Sequence, residues 1–75
     1  MSLRDAVNQS LETYFEQMDE QEPTDLYSMV MNEVERPLLS YVMEQANQNQ
    51  CRAAAMLGLN RGTLRKKLKI HQLID

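Results

Sequence analysis

The sequence predicts an all-α fold of four helices. Apolar residues recur at spacings of three and four through two long segments. Six methionines and only two glycines favour helix, and valine, isoleucine and threonine are scarce. The third observation is punctuation: Pro23 and Gly58 fall between periodic segments, where a helix has to stop.

The first helix is predicted over Leu3 to Met18, with Leu3, Val7, Leu11, Tyr14, Phe15 and Met18 on one stripe and Ser2 at the N-cap. The connector "DEQEPT" is a solvated loop, and Thr24 or Asp25 caps a second helix over about Leu26 to Ala46. Its apolar residues cover more than one stripe, so it is expected to be buried on several sides. Pro37 cannot donate to the carbonyl of Glu33, which predicts a kink near residues 33–37; the alternative is two short helices meeting at Arg36-Pro37. A third helix is expected over Gln50 to Leu57, a turn through Gly58 and Leu59, and a fourth over about Arg61 to Ile70 capped by Asn60. Gly58 suits the left-handed residue of a steep turn, Ala54 suits close helix contact, and Leu57, Leu59, Leu64 and Leu68 suit the space between. That is the pattern of a helix-turn-helix.

Seventy-five residues make one small domain, in which a dimerisation region over 1–48 precedes a helix-turn-helix region over 49–75. Below about 70–80 residues a single core rarely supplies more than about 3–5 kcal/mol, so a supplement is expected. Cys51 is the only cysteine and His71 the only histidine, which excludes a disulfide framework and a closed zinc site. Self-association remains, and a homodimer would also cover the broad apolar surface of the second helix. The tyrosines Tyr14, Tyr27 and Tyr41 and the methionines read as core. Without a membrane span or signal-peptide pattern, the chain is expected to be soluble and intracellular.

Charge divides the chain more sharply than its net −3 implies. Residues 1–48 carry two cations and ten carboxylates, a net −8; residues 49–75 carry six cations and one carboxylate, a net +5. The basic end is built to meet a polyanion. Most of its cations lie in "NRGTLRKKLK", residues 60–69, where Leu64 and Leu68 mark the inward face. Arg61 is the candidate base reader, because arginine donates two parallel hydrogen bonds to guanine, and Asn60 stands beside it. Thr63, Arg65, Lys66, Lys67 and Lys69 suit phosphates. Asn49, Gln50, Cys51 and Arg52 begin the preceding helix, whose free N–H groups favour a phosphate that Arg52 would strengthen. Cys51 reads more naturally as a small buried residue, and His71 as a partner of its helix terminus. No nucleophile–base pair, carboxylate pair, phosphate loop or metal cluster is apparent, so neither enzyme activity nor a cofactor is expected.

"EVERPLLSYVM" followed by "NQCRAAAMLGLNRGTLRKKLK" resembles the Fis family, bacterial nucleoid-associated proteins named as factors for inversion stimulation. The resemblance runs from "LRDAV" to the end of the basic helix, and a related motif closes the nitrogen-regulatory type of transcription activators. It implies four helices per subunit in an intertwined homodimer, with two recognition helices in adjacent major grooves of bent double-stranded DNA. It further implies Asn60 and Arg61 at base edges, with Asn49, Arg52, Thr63, Arg65, Lys66, Lys67 and Lys69 toward the backbone. The implied setting is cytoplasmic and nucleoid-associated, with the transcription machinery as a possible further partner. Cys51 replaces a familiar threonine and Ile70 a familiar lysine, changes expected to weaken backbone contact. The familiar N-terminal arm that meets recombinases is not apparent. A detached activator-type DNA-binding domain and a module for an acidic protein partner are the competing readings.

Overall fold

The computed structural model describes residues 1–75 and contains four helices and no strand: α1 (Leu3–Met18), α2 (Leu26–Gln45), α3 (Gln50–Leu57) and α4 (Arg61–Ile70). Ser2 begins α1 with a capping box, its hydroxyl accepting from the Asp5 N–H at 3.1 Å while its own N–H faces the Asp5 carboxylate at 3.4 Å. Asp25 stands at the N-cap of α2, without a side-chain cap bond. The second helix runs unbroken through Pro37, which settles the two-helix alternative. No helix is long and apolar enough to cross a membrane.

Three turns end in left-handed residues that close the preceding helix. After α2, Asn47 and Gln48 take φ of 54° and 64°, and the Gln48 N–H donates to the Met43 carbonyl at 2.8 Å. After α3, Gly58 takes φ 74° and the Leu59 N–H reaches the Ala54 carbonyl at 2.9 Å. A Cβ on Gly58 would meet nothing within 4 Å, so the dihedral rather than crowding is what glycine serves there. Beyond α4, Gln72 takes φ 59° and the Leu73 N–H reaches the Leu68 carbonyl at 2.8 Å.

The core lies at one end of the molecule. Leu39, Met43 and Ala46 of the α2 end meet Ala53 and Ala54 of α3 and Leu64 and Leu68 of α4, with Val42, Leu57, Leu73 and Ile74 packed around them. Helix α1 buries no residue, and α2 buries only Leu39 and Met43. The expectation that the tyrosines and methionines form core holds for Met43 and is corrected for others: Tyr27 and Tyr41 are exposed, as are Met29, Met31 and Met56. The reason is geometric, because α1 and the first half of α2 have nothing beyond each other to pack against. A compact globule of this length has a radius of gyration of about 11 Å. The value here is 15.0 Å, with extents of 45 × 26 × 18 Å.

Candidate nucleic-acid interface

Both helices of the C-terminal motif are started by asparagines. Asn49 Oδ1 accepts from the Arg52 N–H at 3.1 Å, and Asn60 Oδ1 accepts from the Gly62 N–H at 2.8 Å. A Cβ at Gly62 would lie 3.2 Å from Asn60 Oδ1, so glycine leaves room for that cap. In each asparagine the oxygen is committed to its helix, and the amide nitrogen remains for an outside acceptor.

The fully buried Leu64 and Leu68 turn one face of α4 inward, and Ala53 and Ala54 let α3 come close. That leaves Arg52, Arg61, Thr63, Arg65, Lys66 and Lys69 exposed. Arg61 Nη1 donates to Cys51 Sγ at 3.4 Å, which brings the first turns of α3 and α4 side by side. Two helix N-termini, each the positive end of its dipole, therefore share one surface, with Arg52 and Arg61 in their first turns. Cys51 is exposed in that surface, which corrects the reading of it as buried. Its place in the first turn of α3 is as expected, but its contact with Arg61 is a tertiary fact with no local signal.

Lys67 departs from the rest of the basic run. Its Nζ lies 2.7 Å from Glu35 Oε2 on α2, and the other carboxylate oxygen, Oε1, is 3.0 Å from His71 Nε2. An ionised carboxylate only accepts, so Nε2 carries the proton in this contact. His71 sits at the C-cap of α4, as its sequence position implied, but its ring is buried against Glu35. Arg36 completes the junction by donating from Nη1 to the His71 carbonyl, one of the acceptors a helix end leaves open. The hydrogen bond from Lys67, followed by that from His71, holds the Glu35 carboxyl below its usual range against the opposing effect of partial burial.

Residues 30–70 match the family described as bacterial regulatory protein, Fis family, and residues 1–23 match the DNA-binding protein Fis N-terminal domain. The chain belongs to the Fis family. Curated relatives called DNA-binding protein Fis include those of Actinobacillus succinogenes, Yersinia enterocolitica and an Enterobacter species. Each is 58% identical over 67 residues, covering 89% of this chain and 68% of the relative. In this Fis-family chain the N-terminal match takes in all of α1, the helix that buries nothing, and the longer match includes both Glu35 and the whole helix-turn-helix.

Proposed function

We propose that the chain is a DNA-binding and DNA-bending homodimer that acts as a nucleoid-associated architectural factor and transcription regulator. The observation that carries this reading is the motif in which two helix N-termini lie side by side and Arg52, Arg61, Arg65, Lys66 and Lys69 are all exposed, following 48 residues that are net acidic. Family membership and the relatives' printed name support the same partner.

In this reading α4 enters the major groove with its N-terminal end toward the bases. Arg61 reads a base edge, and Asn60 offers its free amide nitrogen. Asn49 and Arg52 at the start of α3, with Thr63, Arg65, Lys66 and Lys69 on α4, face phosphates. Lys67 reaches DNA only if it leaves Glu35.

Surface area supports the homodimer. A folded monomer of 8.7 kDa exposes about 4,700 Å². This chain exposes 6066 Å². The excess of about 1,300 Å² is more than the roughly 800 Å² each partner gives to an ordinary stable interface. It includes an open groove of about 410 Å³ between α1 and α2, lined by Leu3, Val7, Leu11, Val30 and Val34 among others. A second copy seated there buries the apolar stripes of both long helices and leaves the basic ends free.

Gel-shift assays on circularly permuted DNA fragments report binding and bending together. A dimer-stoichiometric complex whose mobility varies with site position is expected. A complex of position-independent mobility would overturn bending, and no complex at about 100 mM salt would favour the acidic-partner reading instead. With about four phosphates per subunit, log K is expected to fall with log salt at a slope near −7; a slope shallower than about −3 defeats the backbone-contact scheme.

A further inference from the structure

We infer that Glu35 is the positioning residue of the DNA-binding surface: it fixes the pose of α4 against α2 and holds Lys67 as an internal cation rather than a phosphate contact. The inference rests on the DNA-binding reading above. Two consecutive residues midway along α2 make three polar contacts with the far end of α4. Glu35 Oε2 takes Lys67 Nζ at 2.7 Å, Glu35 Oε1 takes His71 Nε2 at 3.0 Å, and Arg36 donates to the His71 carbonyl. These are the only side-chain hydrogen bonds joining α2 to α4 and its cap.

Apart from the Arg61–Cys51 contact with α3, what else holds α4 is apolar. Leu64 and Leu68 anchor one face, but apolar contact is non-directional and resists sliding and rotation less well than charge-assisted bonds do. A ten-residue helix is about 15 Å long, so once its C-terminal end is freed a tilt of about 10° about the Leu64–Leu68 anchor moves its N-terminal residues by about 1.3 Å, enough to stretch a hydrogen bond of about 2.9 Å past its limit. That displacement takes Asn60 and Arg61 out of hydrogen-bond range of any base they were set to meet. Because Glu35 lies on the helix proposed to pair with its counterpart, the same contacts relate each recognition helix to the dimer axis.

Lys67 is also electrostatically distinct. Arg65, Lys66 and Lys69 are exposed and form no ion pair, whereas Lys67 is half-buried and paired. Removing the carboxylate charge releases one ammonium per subunit to a phosphate while loosening the helix end. The two effects act in opposite directions, loss of discrimination and gain of salt-sensitive, sequence-independent affinity, and a merely destabilised fold produces only losses.

The test compares the full chain with Glu35→Gln, which keeps the side chain's size, and with Lys67→Met. Without DNA, amide exchange of Glu35→Gln at His71 to Leu73 is expected to quicken about fivefold, the loss of one partly exposed ion pair, while Ala53 and Ala54 stay protected. With DNA, preference for a cognate over a random duplex is expected to fall at least about fivefold, the lower end of one base pair's readout. The salt slope on random DNA steepens by about 0.9 per subunit in Glu35→Gln and is unchanged in Lys67→Met. Unaltered exchange at His71 to Leu73 would overturn the anchor. Equal weakening on both duplexes, or a shallower slope in Lys67→Met, would overturn the role of Lys67. Failure of the unsubstituted chain to bind either duplex overturns the DNA reading itself, while the exchange result still decides whether Glu35 holds α4.

Discussion

Helix α1 has sixteen residues and buries none of them, whereas α3 has eight and buries Ala53 and Ala54. The contrast extends to charge, with α1 and its connector acidic and the C-terminal motif basic. Both regions are amphipathic helices, so sequence pattern does not separate them. The C-terminal helices have three-dimensional neighbours within the same chain: α3 and α4 fold back on the α2 end and close a core about Leu39, Leu64 and Leu68. The N-terminal stripe is apolar to the same purpose but faces an open groove. One region is completed by its own chain, and the other leaves an apolar groove open, which the proposed homodimer would fill.

This difference is broken most directly from the core side. Leu64→Ala is expected to cost about 2–5 kcal/mol in urea unfolding, because the site is fully enclosed and cannot collapse freely. A loss under about 1 kcal/mol would show that the C-terminal core is not the chain's own. The complementary change, Val30→Asp in the α1–α2 groove, is expected to convert a dimer into a smaller species at micromolar concentration in sedimentation velocity. An unchanged sedimentation coefficient would remove that groove from the interface.

Smaller changes sharpen the contrast within the basic end. Arg61→Ala is expected to cost about 1–3 kcal/mol at a cognate site and little on random DNA. Lys66→Ala should weaken all duplexes alike and make the salt slope shallower by about 0.9 per subunit. Competition binding distinguishes them, and a sequence-selective loss in Lys66→Ala would exchange their roles.

The junction between the regions responds to pH. Glu35's folded-state pKa lies below its ordinary value of 4.5. Its contribution is therefore complete above that value and is lost as pH falls through the folded one. A partly exposed pair of this kind is worth about 1 kcal/mol, so Glu35→Gln should flatten acid unfolding by that amount and leave its shape near neutrality unchanged. The smallest expected effect is at the hinge between α2 and α3, where Gln48 is held at φ 64°. Gln48→Gly is expected to raise stability by up to about 1 kcal/mol in thermal unfolding, and a loss would show that the glutamine side chain is itself engaged.

Much of the fold was legible because its signals are local. The bounds of α1, α3 and α4, and of α2 to one residue, follow from apolar period and from caps at Ser2 and Asn60; the Asn49 cap was first seen in the structure. Each cap bond spans two or three residues, and Gly58 shows its turn without reference to anything distant. The candidate surface was legible at the same level, since Arg52, Arg61, Arg65, Lys66 and Lys69 are exposed along one motif. Exposure of Tyr27, Tyr41 and Cys51 was not, because an apolar or small residue carries no mark of whether a neighbour will cover it.

By itself, then, the sequence determined four helices, the turns between them and an acidic front with a basic end. Those depend on dihedral preference and hydrogen bonds among near neighbours, and on charge that simply accumulates along the chain. Only the tertiary structure decided that Lys67 turns inward to Glu35 across 32 residues, that His71 is buried beside it, and that Arg61 reaches Cys51. No periodicity encodes such pairs. They exist because packing of Leu64 and Leu68 against the α2 end brings the carboxylate and its donors within reach, and charge then selects the geometry.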